Sequence, residues 1–215
     1  VLGADVLLYA DLRGVDTHGV SNMLRSYIRS YTEGLLNPTP NFQIIHETPS
    51  TATIDADGAL GNIVAPWAME LAIEKARKVG SGGIAIRNSG HAGAVGYHAR
   101  MAAKADMIGM AMTAGGNAML PTFGAEAKLG TNPIAWAAPA RNEEPFIFDA
   151  AMTSIAGNKI GLAARMGKPL EAGWLGNEDG SPDMEGGQVA EFGVGSLRRQ
   201  LPMGGTRELG SHKGY

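Results

Sequence analysis

The chain has 215 residues, 44% of them apolar and 18% charged, which marks a globular protein and excludes an intrinsically disordered one. Its net charge of -3 comes with no basic stripe, which argues against nucleic acid as a partner, and the absence of cysteine excludes disulfides, thiolate catalysis and Cys-ligated zinc. The 31 glycines follow no triplet period; they cluster between periodic segments, as in a fold with many turns and close backbone approaches.

Val1 to Leu12 reads as a helix, with Leu2, Val6, Tyr9 and Ala10 on one face and Gly14 as its stop. A second helix is expected from Val20 to Glu33, where Met23, Leu24, Tyr27, Ile28 and Tyr31 keep the three- and four-residue step and Gly34 ends it. After the break at Asn37-Pro38-Thr39-Pro40, short strands are expected at Phe42 to His46 and Thr51 to Ile54, joined by a turn at Pro49-Ser50. Asn62 to Val79 gives the longest helical pattern, capped by Asn62 and closed by Gly80. A strand at Gly83 to Arg87, a helix at Ala94 to Ala105 and strands at Met107 to Thr113, Ile134 to Ala138 and Phe146 to Phe148 follow. A last helix is expected from Ser154 to Met166, capped by Thr153 or Ser154. Beyond Gly173 the pattern reads as loop. Helices and strands mix without strict alternation, which places the chain in the α+β or mixed α/β class. No leader and no apolar run of membrane-spanning length is visible, so a cytoplasmic protein with no membrane partner is expected. The ending Ser211-His212-Lys213-Gly214-Tyr215 reads as a half-finished motif and therefore as a fragment of something longer.

Several motifs fail on inspection. Gly90-His91-Ala92-Gly93-Ala94-Val95-Gly96 follows a strand and opens a helix, but its first glycines are spaced by two residues and no acid follows at the end of a next strand. It is therefore not a dinucleotide fingerprint. Gly167-Lys168 lacks both the upstream glycine and the following hydroxyl of a phosphate loop. Neither G-x-S-x-G nor H-E-x-x-H occurs.

The histidines carry more. His18, in Asp16-Thr17-His18-Gly19, and His91, in Ser89-Gly90-His91-Ala92-Gly93, both sit in glycine-flanked turns. There a ring can reach a ligand, and its pKa suits proton transfer near neutrality. A ring hydrogen-bonded inside its own turn is the plainer account of either. His98 follows His91 at seven residues, but no carboxylate joins them at ligand spacing, so no metal site is expected. His46 reads as a strand residue. Asp149 to Ser154 ends a strand and opens a helix, a place where free N–H groups can hold an anion or simply be capped.

Five segments in order resemble the type-2 malate/L-lactate dehydrogenase family: Arg13 to Val20, Ser89 to Tyr97, Gly124 to Pro133, Asp149 to Ser154, and Pro202 to Gly205 with Lys213-Gly214-Tyr215. The resemblance implies a non-Rossmann fold, with a cofactor domain on a largely antiparallel sheet, a second, helical domain that is incomplete here, and a homodimer. It divides the chain into residues 1–60, part of the helical substrate domain, and 61–215, the cofactor domain. It implies NAD or NADP as cofactor and a small 2-hydroxy acid as substrate. His18 and His91 match histidines given the proton-transfer role in different members, and His91 is favoured because a strand-to-helix turn sets it at a sheet edge. Thr17 stands before the first histidine where many members have Ser. Asn22 stands where many have Arg, so either Arg25, about one turn further on, is the clamp for a substrate carboxylate, which is the favoured expectation, or carboxylate recognition differs in this chain. Thr113 to Asn117, the run Asp149, Ala150, Thr153 and Ser154, and Lys213 with Gly214 match cofactor and pocket segments. The helix expected near Ser154 would then aim its N-terminus at the cofactor phosphates. A same-family reductase of a keto-sugar acid or cyclic imine is the nearest alternative, and a non-catalytic binding protein on this scaffold is another.

Overall fold

The computed structural model describes residues 2–191, 195–206 and 208–210. Its elements run α1 (Leu2–Asp11), a 3₁₀ turn (Asp16–His18), α2 (Val20–Thr32), β1 (Gln43–Glu47), β2 (Thr51–Ala59), α3 (Gly61–Val79), β3 (Gly83–Ser89), α4 (Val95–Lys104), β4 (Gly109–Met112), β5 (Ile134–Ala138), β6 (Phe146–Ala150) and α5 (Gly157–Met166). Two short 3₁₀ turns follow. The chain divides into two compact units, one of residues 1–111 with 135–149, the other of 112–134 with 150–215.

The first unit holds a three-stranded sheet in the order β1-β2-β3, antiparallel between β1 and β2 and parallel between β2 and β3, so the sheet is mixed. A strand with one buried face alternates, and β2 does so through Ala52, Ile54 and Ala56, all buried. Ile54, Ala56 and Ala59 pack with Val64 and Ala68 of α3 into a core closed by Phe42, Trp67 and Ile86. A second sheet, order β4-β5-β6, sets Ala135 and Ala137 against Val95, Ala99 and Ala103 of α4. The small residues on both sides let strand and helix approach closely. A Cβ on Gly109 would run into the Ala99 carbonyl.

Four expected boundaries move: β2 runs on past Ile54 to Ala59, because Ala56 and Ala59 join its buried face against α3, and three element starts shift. α3 begins at Gly61, and Asn62 is not its cap: the Asn62 side chain is buried and donates to the Gly3 carbonyl, 3.2 Å, while its backbone N–H donates to the His91 carbonyl, 3.1 Å. A helix start needs partners for its first N–H groups, and here a neighbouring main chain supplies one. β4 begins at Gly109 because the Met107 N–H still closes α4 on the Ala102 carbonyl, with Asp106 in the left-handed region at φ 61°. α5 begins at Gly157, three residues later than expected. Thr153 pairs with Pro202 in an isolated antiparallel bridge, and the Ser154 N–H donates to the Leu201 carbonyl at 2.8 Å. Thr153 is held in that bridge and Ser154 lies in a bend tied to the Leu201 carbonyl, so neither caps the helix, and Ala156 stands at the cap with no side-chain hydrogen bond.

In the second unit, Ile155, Ile160 and Ala163 pack with Leu170 and Leu175. The stretch read as loop after Gly173 is stitched by isolated bridges, Leu175 to Gln200 and Gly176 to Pro182 among them. Among the described residues no helix is long and apolar enough to cross a membrane.

Candidate active site

His18 ends the 3₁₀ turn that links α1 to α2. Asp11, the last residue of α1, reaches across this turn, and its carboxylate accepts the Val20 N–H at 3.0 Å, at the first turn of α2. A Cβ on Gly19 would run into the Asp11 carboxylate, so a side chain here would displace the group that holds the Val20 N–H. The Asn22 amide donates to the Thr17 carbonyl at 2.7 Å and holds the turn from the other side. Thr17 Oγ1 lies 2.8 Å from His18 Nδ1. Burial pushes the His18 imidazole pKa below its ordinary value, because an imidazolium is costly to desolvate.

His91 leaves the end of β3 in a turn whose glycines answer to neighbours. A Cβ on Gly90 would lie 2.7 Å from Leu36, and one on Gly93, at φ 71°, would lie 2.7 Å from Val6. A Cβ on Gly61 would meet the Gly90 carbonyl oxygen and come within 2.9 Å of the His91 carbonyl carbon. The His91 carbonyl is fixed by Asn62, as above. Its ring Nδ1 lies 2.8 Å from the Tyr27 hydroxyl of α2 and receives the Gly93 N–H at 3.3 Å. One side of the residue remains open to solvent.

The two rings meet. His18 and His91 stack with centroids 5.5 Å apart and planes 23° apart, and the Tyr27 ring centroid lies 5.9 Å from that of His91. The His91 pKa is pushed down to about 4, first by desolvation and then by the neighbouring His18 charge. Near neutrality the pair is therefore uncharged, and a neutral imidazole can both donate and accept a proton. Tyr27 carries its proton throughout, its pKa raised mainly by burial.

The other expected residues fall into distinct places. Arg25 is exposed on α2, and at about 100° per residue it points roughly 200° away from Tyr27, so the helix does not bring it to the histidine pair. Asn22 is buried and engaged in holding the turn. Asp149, near the end of β6, directs its carboxylate to the Gly96 N–H at 2.7 Å, so it caps α4 from outside the helix. Its pKa is raised by burial, against the lowering effect of that hydrogen bond. The N-terminus of α4 is thus already occupied by an anion, which is why the glycine-rich turn before it is no phosphate cradle.

In the second unit, Thr113 donates its N–H to the Pro133 carbonyl, 3.2 Å, and the exposed run through Asn117 follows. Among the described residues, added Cβ atoms on Gly115 or Gly116 would meet nothing within 4 Å. Ala150 closes β6. The Thr153 hydroxyl donates to the Ile155 carbonyl at 2.6 Å, and the Ser154 hydroxyl to the carbonyls of Leu201 and Pro202 at 3.2 and 2.9 Å. Lys213, Gly214 and His212 lie outside the described residues.

His98 is buried and donates from Nε2 to the Ala92 carbonyl at 2.9 Å, so it turns away from any shared metal site. Among the described residues no group of three possible metal ligands occurs. A cavity of about 400 Å³ lies under the β1–β2 turn, where the buried Lys75 ammonium is held by Glu47 and the Thr48 carbonyl, both at 2.7 Å. It shares no residue with the histidine pair. Sequence reasoning missed Tyr27, which reads as one more apolar helix residue, and Asp11. The glycine after His18 was the available signal for the second.

Residues 2–215 match the family described as malate/L-lactate dehydrogenase. The chain is 45% identical over 213 residues to a malate dehydrogenase of Pyrococcus abyssi, covering 99% of this chain and 57% of that protein. It is 34% identical to an NAD(+)-dependent ureidoglycolate dehydrogenase of Escherichia coli, covering 96% of this chain and 57% of that protein. The malate dehydrogenase structure from Entamoeba histolytica superposes with a TM-score of 0.88 at 35% identity, covering 98% of this chain and 59% of that one. The chain thus spans a little over half the length of the relatives it matches.

Proposed function

The chain belongs to the malate/L-lactate dehydrogenase family, and from that premise we propose that it serves hydride transfer between a nicotinamide cofactor and a small, malate- or lactate-like 2-hydroxy acid or its 2-keto counterpart. The observation that carries the proposal is the stacked pair His18–His91 at 5.5 Å, both rings kept neutral by their surroundings. Hydride removal from a hydroxyl-bearing carbon requires that the hydroxyl proton leave as well, and a neutral imidazole is a base suited to that at physiological pH.

The chain holds no hydride carrier of its own among its side chains, and a nicotinamide supplies that chemistry when bound. The exposed run at Gly115-Gly116, flanked by Thr113 and Asn117, suits such a flat ring, since among the described residues an added Cβ on either glycine would meet nothing within 4 Å. Thr153, Ser154 and Asp149 suit it less well as side-chain donors or acceptors, because all three already serve internal partners. Their part in this reading is to hold the segment's shape.

The protein's own work is then threefold. The turn around Asp11, Thr17 and Asn22 sets the His18 ring, and Asn62, Gly93 and Tyr27 set the His91 ring. Together they take up or return one proton at the substrate oxygen. The reading also carries a homodimer with it. Titration of the full-length protein with NADH and NADPH, followed by turnover with a panel of 2-keto acids, tests it. Binding of one nucleotide with oxidation in the presence of a 2-keto acid is expected. Binding of neither would end the reading, and binding without turnover on any member of the panel would favour the binding-protein alternative.

A further inference from the structure

The surroundings of His91 Nδ1 decide more than its orientation. A backbone N–H cannot accept a hydrogen bond, and the Gly93 N–H points at this nitrogen at 3.3 Å. Nδ1 therefore carries the lone pair. The Tyr27 hydroxyl, 2.8 Å away, must then be a donor to the same atom. With both donors on Nδ1, the single proton of the neutral ring sits on Nε2. Charging the ring would set a second N–H against the fixed one of Gly93, beside an imidazole stacked at 5.5 Å. His18 is placed differently. Its Nδ1 faces the Thr17 hydroxyl at 2.8 Å, a group that accepts as readily as it donates, so His18 can hold a proton on Nδ1 and gain or lose another on Nε2.

We propose that the Gly93 N–H locks His91 as its Nε2–H tautomer, with the Tyr27 hydroxyl donating to the same bare Nδ1 and holding the ring in place, so that His91 donates a hydrogen bond to the substrate oxygen while His18 carries the proton. This rests on the dehydrogenase reading and reverses the preference that the sequence gives to His91. In oxidation the hydroxyl proton passes to His18 Nε2, giving an imidazolium. The hydride leaves the carbon with its electron pair for the nicotinamide, and the C–O bond becomes a carbonyl whose oxygen is held by His91 Nε2–H. Reduction returns the proton from His18 to the same oxygen.

Long-range ¹⁵N–¹H NMR on histidine-labelled full-length protein near neutral pH reads the tautomer without any turnover. His91 is expected to show a protonated Nε2 and a bare Nδ1 in the wild type and to keep that tautomer in Tyr27→Phe, because the Gly93 N–H remains. A protonated Nδ1 in the wild type overturns the proposal, and so does a mixture of tautomers in Tyr27→Phe, which would give the lock to the hydroxyl and not to the Gly93 N–H. Kinetics supply the second arm. His18→Gln is expected to slow turnover about 10²–10⁴-fold, the range for loss of a general acid/base. His91→Ala should cost about 10²–10³-fold, as for loss of one oxygen-binding donor. His91→Gln keeps an N–H donor and should recover most of that. If His91→Gln is as slow as His18→Gln, the division of roles fails. If no 2-keto acid turns over at all, the dehydrogenase reading fails while the tautomer result stands.

Discussion

Two strand-to-helix junctions in this chain look alike in sequence and differ in what holds them. One runs from β3 to α4 through Ser89-Gly90-His91-Ala92-Gly93, the other from β6 to α5 through Ala151 to Ala156. Each reads as a place where free N–H groups await an anion. At the first, the anion is already there, since the Asp149 carboxylate accepts the Gly96 N–H at 2.7 Å. At the second, the residues that look like caps are tied to Leu201 and Pro202, and the helix starts afterwards with no side-chain cap. The glycines of the first junction are there for packing, against Leu36, Val6 and the start of α3, and the packing is what delivers a histidine ring to a fixed place. A helix start therefore announces unsatisfied donors without saying which atoms far along the chain will meet them.

The tightest approach at the first junction gives the largest expected effect. Gly61→Ala puts a Cβ against the Gly90 carbonyl and 2.9 Å from the His91 carbonyl carbon, where only backbone can yield. Overpacking of this kind costs about 1–3 kcal/mol. The matched control is Gly115→Ala, where an added Cβ meets nothing within 4 Å. Thermal melting should show a clear drop for the first and little change for the second, and only the first should break the hydrogen bond between Tyr27 and His91. Equal melting temperatures would mean that the β3–α4 junction is looser than its geometry.

The Asp149 cap is the next lever. Asp149→Ala removes the acceptor from the Gly96 N–H and should cost about 0.5–2 kcal/mol, the range for a lost N-cap. Asp149→Asn keeps an acceptor oxygen. Burial raises the folded pKa of Asp149 above its unfolded value, so folding favours the protonated carboxyl. The carboxyl's contribution is present at low pH and is lost as pH rises through the folded pKa. At neutral pH Asp149→Asn should therefore be at least as stable as the wild type, and the gap should close as pH falls and the wild-type carboxyl takes up its proton. Denaturant midpoints measured across the acid range check this. A gap that widens on acidification would have the sign reversed.

How far the sequence could be read follows the same division between local and distant partners. Helices α1, α2 and α4 and the strands β3, β5 and β6 show in it to within a residue or two, because period and glycine stops are local signals. Where the boundaries differ, at Asn62 and Ser154 a backbone group is satisfied from far along the chain, by the His91 or the Leu201 carbonyl, while at Met107 the partner is the nearby Ala102 carbonyl at the end of α4, and β2 runs past Ile54 to Ala59 because it packs on α3. The site divides likewise. His18 and His91 stand out from their glycine-flanked turns, while Tyr27, whose hydroxyl lies 2.8 Å from His91 across a sequence gap of 64 residues, carries no local mark.

At the second junction, the side chains that look like phosphate ligands in sequence should behave as braces. Thr153→Ala and Ser154→Ala each remove a hydroxyl bonded to main-chain carbonyls, 2.6 Å to Ile155 and 2.9 Å to Pro202. The expected loss is about 1 kcal/mol of stability each, with the nucleotide dissociation constant unchanged in a fluorescence titration. A rise in that constant with no change in melting would return both hydroxyls to the cofactor.

Arg25→Ala should do least, and its smallness is informative. A guanidinium that clamps a substrate carboxylate through two hydrogen bonds is worth far more than an exposed charge, because such bonds are charge-assisted and directional. Arg25 is exposed on α2 and lies roughly 200° around the helix from Tyr27. Removing it should therefore leave stability within about 0.5 kcal/mol, as for surface substitutions generally. The Michaelis constant for a 2-keto acid should stay close to the wild-type value. Carboxylate recognition would then belong to a group other than Arg25. A rise of tenfold or more in the Michaelis constant, with the turnover number preserved, would restore the clamp. It would also require α2 to turn a different face to the substrate from the one that holds His91.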